Sequence, residues 1–248
     1  IDIPASRAYA EARRMGLVGG GPQRKRKDIA GSDSTIRREL VVLRAAAHHA
    51  LRWQRLDANE MPSIEMPAET PRDEVWLTQT EFAVARSTAT GALRDFIDVA
   101  YFTAARRASV ERATRFQVDL ANSRLNLSSP HESANQRRSV KRRPVVPIDP
   151  ELRPTIERLM EVNKASEWLF GTPRSMYRPF KEHMTSLGLE AKSHPHILRH
   201  SRATHLLQAG VDIYSVARLL GDTVATVERV YGHHSPDYLA DAIKRSGA

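Results

Sequence analysis

Residues 194–238, HPHILRHSRATHLLQAGVDIYSVARLLGDTVATVERVYGHHSPDY, explain more of this chain than any other segment. Within them His196 and Arg199 lie three apart, so on a helix they share a face. Leu198, Ala203, Leu206 and Leu207 are expected to bury the opposite side and leave the two cations open in a cleft. A helical run follows over 213–220, with Val216, Leu219 and Leu220 apolar and Gly221 as its C-terminal stop. A last short helix, 223–231, has Val224, Val227 and Val230 at core spacing. Tyr231 falls at its end, beside Gly232.

Lys and Arg number 38 against 29 Asp and Glu, a formal charge of +9 that favours polyanion partners, nucleic acid before an acidic membrane surface. A basic surface also serves solubility alone. The absence of cysteine removes a disulfide framework, a Cys zinc site and a Cys nucleophile, and agrees with a reducing cytoplasm. No apolar run approaches the roughly 20 residues that span a bilayer, and the start does not read as a signal peptide. The chain begins Ile-Asp-Ile-Pro, so a trimmed chain with a missing upstream segment is expected.

Residues 1–66 read as a small helical domain. Its first helix covers 4–15, followed by Gly19-Gly20-Gly21-Pro22 and the run Arg24-Lys25-Arg26-Lys27, either a solvated loop or a set of phosphate contacts. Ser34 is expected to cap a long helix in which Ile36, Leu40, Leu43, Ala47 and Leu51 recur at three and four residues, while Arg37, Arg38, Arg44 and Arg52 line other faces. Pro62, Pro67 and Pro71 break the helical period beyond it, and the linker is set at 67–77. The second domain, 78–248, opens with the capping box Thr78-Gln79-Thr80-Glu81. A helix over 93–104 buries Phe96, Ile97, Ala100 and Tyr101 and ends in Thr103-Ala104-Ala105-Arg106-Arg107. Strands are expected over 116–120, 124–127 and 139–148, with Asn122-Ser123 as a turn. Asp149-Pro150 then starts a helix with Pro at its first position, and Leu152, Ile156, Leu159 and Met160 form its apolar face.

The elements His196-Ile197-Leu198-Arg199-His200, Ala203-Thr204-His205-Leu206-Leu207, Leu219-Leu220-Gly221 and Tyr231, ten residues past that Gly, resemble the C-terminal box of tyrosine recombinases, the phage integrases. Thr103-Ala104-Ala105-Arg106 resembles that family's T-G-x-R, and Val118-Asp119-Leu120 falls at the expected spacing after it. The resemblance implies a mainly α fold with a small antiparallel β-sheet, in two domains, the N-terminal one gripping DNA opposite the catalytic one. It also implies cleavage and rejoining of DNA strands with neither metal nor nucleotide cofactor. Arg106 and Arg199 become the two guanidiniums that meet the charge of a phosphodiester in its pentavalent transition state. Lys141, the only Lys between Arg106 and Lys164, becomes the general acid for the leaving 5′ oxygen. Its neighbours Arg137, Arg138, Arg142 and Arg143, with the 24–27 run and Arg37, Arg38 and Arg44, are the expected phosphate contacts. His196 takes the His-or-Lys position, bonding the phosphate or taking the Tyr proton, and His200 reads as a buffer between helix and core. Tyr231 is the nucleophile; its phenol, with an ordinary pKa of about 10, needs cations nearby.

Three departures from the family pattern stand out. Ala104 replaces the usual Gly, read here as mild. Ser109 stands where an acidic residue commonly orients the first Arg, and Glu111 is near but at the wrong helical position to substitute for it simply. Asp222 occupies the usual His or Trp position, and a carboxylate cannot donate a hydrogen bond to phosphate. Either it faces away and orients Arg199 or His196, or Thr223 supplies the donor, or activity is reduced. Ten histidines, His196 and His200 among them, invite a metal, but the chain lacks H-E-x-x-H and cysteine alike. The expected assembly is a homo-tetramer on paired sites in double-stranded DNA, monomeric in free solution, cytoplasmic, with the C-terminal segment (Tyr238, Leu239, Ala242 and Ile243 on its apolar face) lent to a neighbour. Two rivals are a type IB topoisomerase-like relaxase and a DNA-binding protein of the same fold with impaired catalysis.

Overall fold

Helix α1 (Ile3–Arg14) starts where the Asp2 carboxylate accepts from the Ala5 amide and Pro4 presets the first turn. The computed structural model describes residues 2–18, 30–68, 75–127 and 145–234, and the chain folds as two units, 1–73 and 74–248. In the first unit α1 packs on α2 (Asp33–Arg52) through Ala10, Ile36 and Leu40, with Leu43, Ile64 and Met66 around them. The cap of α2 is Ser32, not Ser34: the helix begins two residues early because the Ser32 carbonyl already accepts from the Thr35 and Ile36 amides. A half-open ion pair from Arg13 to Glu39, at 2.8 Å, ties the two helices, and the Tyr9 hydroxyl donates to the same carboxylate.

In the second unit the expected capping box forms, Thr78 accepting from the Glu81 amide and Glu81 from the Thr78 amide, and starts α3 (Gln79–Thr88). Leu77, given to the linker on sequence, is core: its amide donates to the Ser201 hydroxyl and its carbonyl meets the His205 ring. Helix α4 (Gly91–Phe102) is the centre of this unit, with every residue from Asp95 to Phe102 buried. Two buried carboxylates on it are matched by cations, Asp98 by Arg86 and the Thr155 hydroxyl, Asp95 by Arg158. Short helix α5 (Arg107–Glu111) leads to the sheet.

The sheet has the order β1 (Val118–Asp119), β2 (Arg124–Asn126), β3 (Val145–Pro147), all antiparallel, with Leu125 opposite both Val118 and Val146. Leu125 and Val146 are buried while their strand neighbours are exposed, an alternation read from sequence at Leu125. Phe116, expected in the first strand, is 85% exposed in a short turn of 3-10 helix instead. Helix α6 (Arg153–Val162) also begins later than Asp149-Pro150 suggested. Residues 149–152 form a turn, in which the Asp149 side chain accepts from the Glu151 amide, and Pro154 takes the first-turn place. Helices α7 (Tyr177–Ser186), α8 (His196–Gln208), α9 (Ile213–Leu220) and α10 (Val224–Tyr231) complete the unit. The main core joins α3 to α8 and the sheet, and a second cluster binds α8, α9 and α10 to Ala104.

Candidate active site

The second cluster positions the chemistry. Ala203 and Leu207 of α8, Val216, Ala217 and Leu220 of α9, Val227 and Tyr231 of α10 and Ala104 pack as one buried group. At the end of α4, Thr103 bonds back to the Val99 carbonyl and the next residue, Ala104, turns into the left-handed region at φ 50°. A fully buried non-glycine residue there is strained, so the replacement of Gly is not mild. The turn aims the Ala104 carbonyl at Nη1 of Arg199, which donates to it at 2.8 Å, and delivers Arg106 to the start of α5.

Arg199 is buried, not open in a cleft as the helical face predicted. Burial and the neighbouring Arg106 draw its guanidinium below its ordinary pKa, with Asp222 and Tyr231 pulling it back. It stays protonated at neutral pH. Asp222 lies between the two arginines, one oxygen accepting from Nη2 of Arg199, the other 3.5 Å from Nη2 of Arg106. Gly221 sets it there: the glycine ends α9 at φ 63°, and the Asp222 amide closes the turn on the Ala217 carbonyl. Asp222 does not face away: it sits between the two guanidiniums, a position that fits orientation of Arg199, and of Arg106 with it. Thr223 is occupied as the cap of α10, accepting from the Thr226 amide. Glu111 accepts from the Met176 amide, so it does not stand in for the missing acid at Ser109.

Tyr231 is 6% exposed, its ring in the cluster and its hydroxyl 2.6 Å from Nδ1 of His200. His196 sits one turn before His200, its ring edge-on to it at 4.6 Å, with its outer side in solvent. Burial, then repulsion against protonated His200, Arg199, His194 and Arg106, pushes His196 down to about 4. Burial with His194 and Arg199 does the same to His200, also to about 4. Both imidazoles are therefore neutral at neutral pH.

The structure thus brings Arg106, Arg199, Asp222, His196, His200 and Tyr231 to one place. His200, read from sequence as a buffer, touches the phenol; its position directly after Arg199 was the one signal available. Arg38 and Arg44 are exposed on α2, whereas Arg37 donates to the Pro67 carbonyl at 2.8 Å. Arg24, Lys25, Arg26, Lys27, Arg137, Arg138, Lys141, Arg142, Arg143 and the C-terminal segment lie outside the described residues. Among the described residues no cluster of His, Asp or Glu is arranged to hold a metal ion, and no helix is long and apolar enough to cross a membrane.

A family model described as the phage integrase family matches residues 76–237. The chain belongs to the phage integrase family. A tyrosine recombinase of Thermosipho africanus is 30% identical over 107 residues, 41% of this chain and 38% of that protein. The first relatives of this chain are thus matched over well under half their own length. The tyrosine recombinase XerD of Lacticaseibacillus casei aligns more widely, 24% identical over 235 residues, 87% of this chain and 77% of that one. In fold the chain is similar to the Tn1549 transposon integrase, solved in complex with a circular intermediate DNA. The TM-score is 0.76 at 15% identity, over 99% of this chain and 85% of that one.

Proposed function

We propose that this chain cleaves and rejoins DNA strands at specific sites through a 3′-phosphotyrosyl intermediate. The observation that supports this most directly is that Asp222 joins Arg199 to Arg106 while His200, the residue after Arg199, bonds the Tyr231 hydroxyl, so that one phenol and two guanidiniums gather around the start of α8. A scissile phosphate between the arginines would have both non-bridging oxygens met by fixed positive charge, which strengthens as charge builds in the pentavalent state. Tyr231 attacks phosphorus in line with the 5′ oxygen, which leaves with a proton from Lys141. His196 bonds the phosphate from the solvent side. The phosphotyrosine retains the energy of the broken ester, so rejoining needs no nucleotide. The substrate is double-stranded DNA and the working assembly a homo-tetramer on paired sites, monomeric when free, in the cytoplasm.

One observation favours a second reading, a DNA-binding protein with impaired catalysis: the Asp222 carboxylate lies between the guanidiniums that a phosphate would use. A suicide duplex nicked near the cleavage point separates the two. The native chain should accumulate a covalent protein–DNA adduct, and Tyr231→Phe should bind the duplex without forming one. Tight binding with no adduct from either favours the second reading.

A further inference from the structure

We infer that His200 takes the proton of Tyr231 during strand cleavage and returns it on rejoining, an inference that rests on the recombinase reading above. The hydroxyl and Nδ1 are 2.6 Å apart, within the range of a proton-transfer hydrogen bond. The phenol has the proton to give, so Nδ1 is the acceptor and the ring proton sits on Nε2. The ring is fixed on both sides, edge-on against His196 at 4.6 Å and tilted against Tyr231 at 5.6 Å. Its own helix holds it between two buried residues, Arg199 and Ser201. The titratable and charged groups around it are His194, His196 and Arg199 from its own stretch and Tyr231 from α10. His233 and His234 lie on the turn that follows α10 and packs on α8.

That environment keeps the base form present at neutral pH, because burial, the guanidinium of Arg199 and the nearby His194 ring oppose protonation. A phosphodiester arriving beside Arg199 brings negative charge that offsets that guanidinium, so His200 accepts a proton more readily with DNA bound than without. In the step itself the Tyr231 oxygen forms its bond to phosphorus, its proton passes to Nδ1 of His200, and the bond from phosphorus to the 5′ oxygen breaks. The leaving oxygen is protonated by the acid proposed at Lys141. Rejoining runs the same transfers backwards.

The test measures adduct formation on nicked suicide duplexes tiled across the DNA flanking the gene, from pH 5.5 to 10. It compares the native chain with His200→Asn, whose side-chain oxygen can hold the phenol where Nδ1 does but cannot take its proton away. Unchanged DNA affinity is expected, with adduct formation slower by roughly 10²–10⁴-fold near neutrality. The rate of the variant should climb tenfold per pH unit toward the ordinary phenol pKa of about 10, while the native rate stays level across the neutral range. Adduct formation by His200→Asn at the native rate would falsify the inference. A slower rate with an equally level profile overturns it too, since His200 would then only position the ring. A native chain that forms no adduct on any duplex removes the recombinase reading, and this inference with it.

Discussion

At Asp222 a single carboxylate pairs with two guanidiniums, one of them buried, and this decides what its loss should do. Removing one partner of a buried pair leaves uncompensated charge, a cost of about 3–5 kcal/mol when the pair is fully buried. Arg106 is one-third exposed, which puts the expected loss for Asp222→Ala at the lower end, about 3 kcal/mol. The recombinase reading adds a second expectation. A DNA phosphate supplies the missing anion, so saturating duplex should restore much of the melting temperature that Asp222→Ala loses in the free protein. Thermal melts with and without DNA give both numbers. Equal destabilisation in the two would mean that phosphate does not come to the arginines.

Helix α8 concentrates histidines on a buried element, and this gives the second unit an acid-sensitive part. His196 and His200 are held down to about 4, and His205, bonded between the Tyr101 hydroxyl and the Leu77 carbonyl, is lowered by burial. His194, just before the helix, is lowered for the same reason. Each binds a proton less readily folded than unfolded, where the ordinary value is about 6.5. The unfolded chain therefore gains protons first on acidification. The stability from these groups is full above about 6.5 and is lost as the pH falls from there toward 4. Paired carboxylates such as Glu39 and Glu81 have lowered values and weaken only below the ordinary carboxylate range, so a fall between pH 6.5 and 5 isolates the histidines. Melting temperature measured across that window should drop for the native chain and drop less for His200→Asn. A level curve would refute the assignment of neutral imidazoles to α8.

For the whole molecule, what was legible in the sequence was whatever a local period or stop encodes. The Gly221 stop, the Thr78–Glu81 box, the Leu125 alternation and the end of α10 at Tyr231 were read in place. Contacts between elements were not: Asp222 meets Arg106 across 116 residues and Tyr231 meets His200 across 31, and periodicity tells which face is buried but not what it meets. The left-handed turn at Ala104 was hidden because only glycine advertises that conformation. Charge is legible at this scale as well, and it yields an expectation about long-range binding. A net +9 makes affinity for DNA fall with salt, the slope of log affinity against log salt being about 0.9 per phosphate neutralised. Arg38 and Arg44 are exposed on α2, while Arg37 is engaged with the Pro67 carbonyl. Replacing Arg38 and Arg44 by Ala should lower the slope by about 2 and weaken binding equally on unrelated sequences. Arg37→Ala should act instead through the stability of the first unit, by releasing Pro67. Titrations at several salt concentrations decide between these roles, and a slope unchanged in the Arg38 and Arg44 double variant would take α2 off the DNA.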